Sequence, residues 1–311
     1  MSLDVRQAQG RLADVRRRLR DVALVLAAPA IRALPPWWKV RVYGRLADTP
    51  FHQGGHASKT VTRRIQPHRY EMELCLDDWM ERFAFYVGCY YEVDATATLD
   101  RLLRRGDCYI DVGANLGFLA LTASRAVGFE GRVLAFEPNP TLAARLTRAL
   151  RVNEIDNVTV FEHALGSVDA LATLDIGSHS GTANLRGAEP GAITVNVRRG
   201  DSVVTDLQSD TWVLAKLDVE GYELRVLQGF TSLIQRPRTG FLVEVTDAWL
   251  RELEGSADEL FGLLQQDGYQ AYLPRLGSSG ALHFAPIDGP RLEHHQYDVL
   301  FLRTQDGWLE R

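Results

Sequence analysis

The stretch that decides the fold is Cys108 to Asn139, CYIDVGANLGFLALTASRAVGFEGRVLAFEPN. An apolar run that carries Asp111 ends at Gly113, and the apolar-rich segment after this glycine predicts a helix. A second apolar run follows and ends in Glu137. The order strand, glycine turn, helix, strand predicts a βαβ unit with an acidic residue after its second strand.

This unit has the features of an adenosine site. Gly113 and Gly117 remove side chains where the backbone turns tightly and a ligand approaches, and the helix N-terminus presents unpaired N–H groups. The carboxylate of Glu137 can accept hydrogen bonds from both hydroxyls of a ribose. The dinucleotide fingerprint needs three glycines, whereas this turn reads D-x-G-x-x-x-G. Because Asp111 repels phosphates and can orient an ammonium, S-adenosylmethionine is the favoured cofactor, and the alternative is a unit that binds nothing.

Three motifs resemble those of the FkbM family of S-adenosylmethionine-dependent methyltransferases. They are Asp111-Val112-Gly113-Ala114-Asn115-Leu116-Gly117-Phe118, Phe136-Glu137-Pro138-Asn139 and Lys216-Leu217-Asp218-Val219-Glu220-Gly221-Tyr222-Glu223. The glycine motif alone indicates only the methyltransferase superfamily, and the KLDVEGYE stretch narrows the resemblance to this family. The resemblance covers residues 92–246 and leaves both ends of the chain unmatched.

The resemblance implies an α/β fold of the Rossmann-like class I methyltransferase type, with a seven-stranded, mostly parallel sheet. Residues 92–311 are expected to form this S-adenosylmethionine-binding domain, and residues 1–91 a helical, basic N-terminal extension. Two alternating runs, 171–176 and 193–197, predict a β-hairpin inserted between the third and fourth core strands. Other apolar runs predict the third to seventh strands, at 158–161, 212–217, 241–245, 269–273 and 297–301.

The resemblance also implies which residues hold the cofactor. They are Glu92, Asp111, Gly113, Asn115, Gly117, Phe118, Glu137, Asn139, His163, Ala164 and Asp218. The dipeptide Tyr91-Glu92 is similar to a Tyr-Glu pair that precedes the cofactor-binding segment in the family. His163 and Ala164 follow the third strand, where the family contacts adenine, and His163 stands where an acid is more usual.

The fourth strand is followed closely by three acids, Asp218, Glu220 and Glu223. Acids this close are costly unless a cation shares them or they point to different sides, and Lys216 lies on the same strand face as Asp218. Asp218 is the first candidate for the base that accepts the proton of an acceptor hydroxyl. The other candidate bases are Glu220, Glu244 and, in the hairpin tip, His179. The alternative is that Asp218 is the N-cap of the following helix.

No obligatory metal is expected, because no set of three or four ligands has convincing spacing. The acids Asp218, Glu220 and Glu244 leave a Mg²⁺ or Ca²⁺ site open as an alternative. His52 and His56 are four residues apart, but two glycines between them predict a surface loop.

Composition predicts a globular cytoplasmic protein. The 311 residues are 46% hydrophobic and 24% charged, and the three cysteines are too scattered for a disulfide framework or a zinc site. The longest apolar stretch, residues 22–31, is half of the roughly 20 residues that a membrane span needs. Residues 46–311 carry a net charge of −12, so a nucleic-acid partner is not expected.

Residues 1–45 contain ten Arg and Lys against three Asp. Apolar residues between Leu12 and Leu26 recur at helical spacing among arginines, which predicts an amphipathic basic helix. Such a helix can contact the inner membrane surface, form a homodimer, or pack on its own domain.

These features together predict an O-methyltransferase that acts on a hydroxyl of a sugar, glycolipid or secondary metabolite. A small-molecule or glycan acceptor is therefore the expected partner. Two alternatives remain, a Rossmann-type oxidoreductase and a non-catalytic adaptor that keeps the adenosine-cofactor fold.

Overall fold

A computed structural model divides the chain into two compact units, Met1–Val93 and Asp94–Arg311. It describes residues 26–35, 38–39, 42, 60–66, 68–175, 192–277, 279–293 and 296–311. The predicted basic helix lies outside these ranges except at its last residue, and His52 and His56 lie outside them too, so those predictions stay predictions. Within the described ranges, no helix has both the length and the apolar character needed to cross a membrane.

The first unit contains a β-hairpin and a helix. Its elements are β1 (Thr60–Ile65), β2 (Tyr70–Cys75) and α1 (Trp79–Val87), and residues 26–33 are also helical. The sequence of residues 71–92, rich in Tyr and Phe, predicts helix and turn, and this prediction is wrong at β2. In this strand Met72 and Leu74 are buried and their neighbours are less so, which is the alternation of a strand that pairs antiparallel with β1.

The second unit is built around a large sheet. Its strands are β3 (Cys108–Val112), β4 (Arg132–Phe136), β5 (Val158–Phe161), β6 (Ala164–Gly166), β7 (Ala170–Leu174), β8 (Ile193–Arg199), β9 (Val213–Leu217), β10 (Thr239–Val245), β11 (Gln270–Leu276), β12 (Leu282–Ile287) and β13 (Tyr297–Leu302). Its helices are α2 (Val93–Leu102, which starts at the unit boundary), α3 (Phe118–Val127), α4 (Pro140–Val152), α5 (Gly200–Val203), α6 (Glu223–Gly229), α7 (Thr231–Gln235), α8 (Asp247–Glu252) and α9 (Ala257–Gln266). Two 3₁₀ turns, Thr304–Asp306 and Trp308–Glu310, follow β13.

The strand order of the large sheet is β12-β11-β13-β10-β9-β3-β4-β5. The strands β3, β4, β5, β9 and β10 run parallel, and β13 is inserted antiparallel between β10 and β11. All seven strands predicted from apolar runs are present, and this order is that of the class I methyltransferase fold. The eighth strand, β12, pairs with β11 at the edge of the sheet and contains Pro286, a residue that edge strands tolerate.

A smaller sheet lies between the third and fourth core strands in the chain. The strands β7 and β8 pair antiparallel, which confirms the predicted hairpin insertion. The short strand β6 pairs parallel with the other edge of β8. Residues 176–191, which contain the hairpin tip and His179, lie outside the described residues.

The two faces of the large sheet differ in character. One face contributes residues such as Ile110, Ala215 and Val243 to a hydrophobic core with buried residues of α6, α7 and α9. Because side chains alternate along a strand, Asp111 and Lys216 belong to the opposite face. Both strands that carry them, β3 and β9, are buried along their whole length, so these two charges are held inside the protein.

Candidate active site

The turn after β3 is shaped by contact with the neighbouring strand. Gly113 has a φ of 87°, and a Cβ at this position would lie 1.9 Å from the backbone oxygen of Asp218. Gly117 has a φ of 84°, and its Cβ would lie 2.1 Å from Leu146 Cδ1. The sequence predicts a tight turn at both glycines, which these φ values confirm, and close approach of a ligand, which stays a prediction. Protein atoms occupy the space that each missing Cβ leaves. The turn that leads into α3 is therefore packed directly against the end of β9.

Glu137 joins this turn to the start of α4. Its Oε2 accepts a hydrogen bond from the backbone N–H of Asn115 at 2.7 Å, and its Oε1 accepts one from Asn139 at 2.8 Å. Burial raises the pKa of Glu137 to about 7, and these two hydrogen bonds oppose the shift. Each carboxylate oxygen keeps a second lone pair, so the residue can still accept hydrogen bonds from a ribose.

Three other predicted cofactor residues lie around Glu137. Asn115 has a φ of 52°, and its Oδ1 accepts the backbone N–H of Leu116 at 2.8 Å. Phe118 is the buried first residue of α3, and Asn139 caps α4 by accepting the N–H of Thr141 at 3.0 Å. Asn139 thus caps the start of α4, while Asn115 and Phe118 lie at the turn and the first residue of α3.

His163 lies after β5, beside the stacked rings of Phe136 and Phe161. Its Nδ1 lies 3.2 Å from the carbonyl oxygen of Ala164, and since a carbonyl only accepts, Nδ1 carries the hydrogen. Burial lowers the pKa of His163 below its usual value, which favours the neutral ring. Its Nε2 is therefore a hydrogen-bond acceptor, the role that an acid would have at this position.

The register of the sheet brings five charged residues together at its C-terminal edge. Asp111 is aligned with Lys216, and Glu244 with Asp298. The alignment of β9 with β10 puts Asp218, the residue after β9, beside Glu244. All five residues belong to the face of the sheet opposite to α6 and α9.

Lys216 is the cation among the four acids of this face, Asp111, Asp218, Glu244 and Asp298, which we call the acidic face. Its Nζ lies 2.8 Å from Asp298 Oδ1 and 3.3 Å from Asp218 Oδ2, which confirms the predicted pairing with Asp218. The lysine side chain is 1% exposed, while those of Asp218 and Asp298 are 22% and 17% exposed. A buried lysine needs such partners, and the two acids that hold it keep an accessible surface.

The two remaining acids of this face are buried. Burial raises the pKa of Asp111 to about 7; the charges of Asp218 and Glu137 add to the shift, and Lys216 opposes it. Burial also raises the pKa of Glu244 well above its usual value, with Asp218 as the next cause. Gln296 donates a hydrogen bond to Glu244 Oε1.

This face has the chemistry to hold a cationic ligand. The oxygens Asp111 Oδ2 and Glu244 Oε2 are buried and have no hydrogen-bond partner within the described part of the chain. One lysine faces four carboxyls of this face, and the raised pKa values of Asp111 and Glu244 show that ionising all four is unfavourable without a further cation. The sulfonium and ammonium of S-adenosylmethionine supply positive charge, and the residues present therefore fit this cofactor.

The turn after β9 separates its three acids. Glu223 points inward, where its Oε1 accepts the backbone N–H groups of Val219 at 3.0 Å and Gly221 at 3.1 Å. Burial raises its pKa to about 7 against these hydrogen bonds. Glu220 is half-buried with a φ of 55°. The alternative of Asp218 as an N-cap is wrong, because the next helix, α6, begins at Glu223 and its N-cap is Tyr222.

Sequence reasoning missed Asp298 and Gln296. The available signal was an acid inside the apolar run of β13, a strand whose other residues are mostly buried. Glu92 belongs to the first unit, where its Oε1 accepts the hydroxyl hydrogen of Tyr90 at 2.7 Å, and its role in cofactor binding stays a prediction.

Metal ligation was also considered for these acids. Among the residues that the structure describes, no three or more His, Cys, Asp and Glu side chains are grouped to hold a metal ion. The acids Asp218, Glu220 and Glu244, which left a Mg²⁺ or Ca²⁺ site open in the sequence, therefore do not form such a group.

The strand order of the large sheet is that of the class I methyltransferase fold, and its edge fits S-adenosylmethionine. The family model described as "Methyltransferase FkbM domain" matches residues 111–271, just over half of the chain. The chain belongs to the FkbM family of methyltransferases, as its motifs predicted, and S-adenosylmethionine is its cofactor.

A curated relative is the hexuronic acid methyltransferase AglP of Haloferax volcanii. It is 28% identical over 144 residues, which are 46% of this chain and 58% of AglP. The chain therefore matches less than two thirds of this relative.

Two solved structures are also similar. An O-methyltransferase of Thermotoga maritima has 15% identity and a TM-score of 0.39, over 84% of this chain and 97% of its own. A methyltransferase of Streptococcus mutans with bound S-adenosylhomocysteine has 11% identity and a TM-score of 0.39, over 67% and 94%.

Proposed function

We propose that this methyltransferase transfers a methyl group to a hydroxyl oxygen of a sugar, of a glycolipid or of another secondary metabolite. The observation that carries the proposal is the position of Asp218. Its carboxylate is 22% exposed, follows β9 directly, and belongs to a residue whose backbone contacts the glycine turn. In open α/β sheets, ligands bind at this edge. An acid here is suited to accept a proton from an acceptor.

The residues of the chain supply proton acceptance and positioning. When bound, S-adenosylmethionine supplies the methyl group, whose bond to sulfur breaks with its electron pair on sulfur as the acceptor oxygen forms the new C–O bond. The hydroxyl proton passes to Asp218. A neutral hydroxyl is a weak nucleophile, so a positioned base is worth about 10²–10⁴-fold in rate. Glu220, Glu244 and His179 are the other candidate bases.

Charge favours a hydroxyl over a carboxylate as the reacting group. Lys216 is the cation of the described acidic face, and it is buried between Asp218 and Asp298. A carboxylate acceptor would bring a further negative charge beside Asp218, and Lys216 is already paired with two acids there, which is unfavourable. The relative that methylates a hexuronic acid supports a sugar acceptor.

A panel of glycosides tests the acceptor. Purified protein is incubated with S-adenosylmethionine carrying a deuterated methyl group and with p-nitrophenyl glucoside, p-nitrophenyl glucuronide or extracted glycolipids. Mass spectrometry should find the label in an alkali-stable ether, because a hydroxyl is methylated. An alkali-labile ester as the main product would contradict the proposal, since it forms from a carboxylate.

Substitution of Asp218 tests the base. Asp218→Asn should lower kcat on the acceptor by about 10²–10⁴-fold, because the amide cannot take the proton. The affinity for S-adenosylhomocysteine should change less than tenfold by calorimetry. Asp258→Asn, at an exposed position of α9, is the matched control and should leave kcat unchanged. Near-normal turnover of Asp218→Asn would exclude this residue as the base and move the search to the other candidates.

A further inference from the structure

Polar side chains continue the active-site edge of the sheet beyond Asp218. Glu244 on β10 follows the residues that pair with β9, so it lies beside Asp218. The residues that come next to the last pair of the β10–β13 ladder at this edge are Thr246 and Gln296. Neighbouring strands are about 4.8 Å apart, which puts these two residues roughly 5–10 Å from Asp218. One small ligand can therefore contact all three.

Thr246 has a buried hydroxyl without a partner. The residue is 7% exposed, and its Oγ1 forms no hydrogen bond with the described part of the chain. Thr246 is the N-cap residue of α8, but its side chain does not cap that helix. Its backbone is extended, with a φ of −129° and a ψ of 94°, so its side chain belongs to the face of Glu244. A buried hydroxyl without a partner is unfavourable, and a ligand hydroxyl can satisfy it.

Gln296 presents an amide at the same end of the strand pair. The residue is exposed, and its Nε2 donates a hydrogen bond to Glu244 Oε1 at 2.5 Å. Because this bond uses the donor end of the amide, the amide oxygen of Gln296 can accept a hydrogen bond from a ligand. Glu244 thus orients Gln296 before a ligand arrives, which lowers the ordering cost of binding.

We propose that Thr246 and Gln296 bind a second hydroxyl of the acceptor while Asp218 receives the proton of the reacting one, so that the acceptor is a sugar ring and not a compound with a single hydroxyl. The inference rests on the proposed function and narrows its acceptor class. A hydroxyl both donates and accepts hydrogen bonds, which matches an amide oxygen and a threonine hydroxyl. Both side chains are neutral, and the acids beside them disfavour an anion such as a phosphate.

Deoxy sugars test the second hydroxyl. NMR of the labelled product first locates the position that the parent enzyme methylates on the best glycoside of the panel. Monodeoxy analogues that each lack one of the remaining hydroxyls are then compared. One analogue should lose about tenfold or more in kcat/KM, because it leaves Thr246 and Gln296 without a ligand partner.

Two variants connect this loss to the two side chains. Thr246→Val and Gln296→Leu should each lower kcat/KM on the intact glycoside by about 3–10-fold, mainly through a higher KM. Neither should lower it further on the sensitive deoxy analogue, because the contact is already absent there. Thr246→Ser keeps the hydroxyl and should stay near the parent. The melting temperature of Thr246→Val should not fall, since its hydroxyl has no partner to lose.

Matched controls make the same changes away from this edge. Thr239→Val acts at the other end of β10, where a fully buried Oγ1 also has no partner among the described residues. Gln265→Leu removes an exposed amide of α9 that donates to the carbonyl oxygen of Asp288. Both controls should leave kcat/KM unchanged on every glycoside.

The outcomes separate this inference from the proposed function. Equal kcat/KM on all monodeoxy analogues, or an equal loss in Thr246→Val on the intact and the sensitive deoxy glycoside, would overturn the inference while the proposed function stands. A parent enzyme that methylates no glycoside, or only a carboxylate, would reject the proposed function, and the inference would fall with it.

Discussion

Glu137 combines a structural and a binding role in one carboxylate. Each of its oxygens already accepts a backbone N–H, one from the glycine turn and one from the start of α4. Two backbone donors orient the side chain before any ligand arrives, which reduces the ordering cost of binding. Loss of this carboxylate therefore removes contacts to the ribose and also loosens the turn that precedes α3.

Glu137→Ala should weaken binding of S-adenosylhomocysteine by about 1.5–3 kcal/mol, through loss of charged hydrogen bonds to the ribose. It should also lower the melting temperature of the ligand-free protein, because Asn115 and Asn139 lose their acceptor. Calorimetry and thermal unfolding measure the two effects. Glu130→Ala, at an exposed acid paired with Arg105, is the control and should change neither. If Glu137→Ala binds S-adenosylhomocysteine with unaltered affinity, the ribose does not contact Glu137.

The glycine turn after β3 and the end of β9 are in direct backbone contact. The backbone N–H of Asp218 donates to the carbonyl of Val112 at 3.0 Å, and the Asp218 carbonyl lies against Gly113. The glycine turn that precedes α3 thus also positions Asp218, the candidate base. A change in either segment is expected to move the other, since the contact is between backbone atoms.

Gly113→Ala compared with Gly106→Ala measures this contact. Both glycines have nearly the same φ, 87° and 86°, so both alanines are subject to a left-handed backbone cost of roughly 1–2 kcal/mol. A Cβ at Gly106 meets no atom within 4 Å, whereas at Gly113 it meets a backbone oxygen at 1.9 Å. Urea unfolding should show a clearly larger loss of stability for Gly113→Ala. If both variants lose the same free energy of unfolding, the contact between Gly113 and the Asp218 carbonyl does not limit the size of the side chain at position 113.

Three buried carboxyls make the stability of the folded protein depend on pH. Burial raises the pKa values of Asp111, Glu137 and Glu223 to about 7, from ordinary values of 3.8 for Asp and 4.5 for Glu. The folded state therefore holds these protons more tightly than the unfolded state. The stability that they contribute is present below about pH 4 and is lost as the pH rises through 7.

The ligand-free enzyme should accordingly melt several degrees lower at pH 8 than at pH 6, as thermal unfolding followed by circular dichroism can record. In Asp111→Asn one titrating group is removed, so the decrease between these pH values should be smaller. Asp258→Asn changes an exposed acid and should behave like the parent. A parent protein with equal stability at both pH values would contradict the link between burial and charge.

Sequence patterns alone were enough to predict the seven core strands, the hairpin insertion and the family. Apolar runs that end in Gly113, Glu137 and Asp218 are local patterns, and each reflects which residues a buried parallel strand and its turn require. The same alternation placed Lys216 on the face of Asp218, since side chains two apart on a strand share a face. These properties belong to single segments, so one chain segment is enough to reveal them.

The surroundings of Asp218, the candidate base, depend on contacts between strands that are distant in sequence. Asp298 meets Lys216 because β13 is inserted antiparallel beside β10, and no local pattern specifies that register between segments 82 residues apart. The reason for Gly113 was likewise decided by packing, because the end of β9 occupies the space of its missing side chain. The physical reason is the same in both cases: pairing between distant strands sets distances, burial and charge that the residues of one strand do not encode.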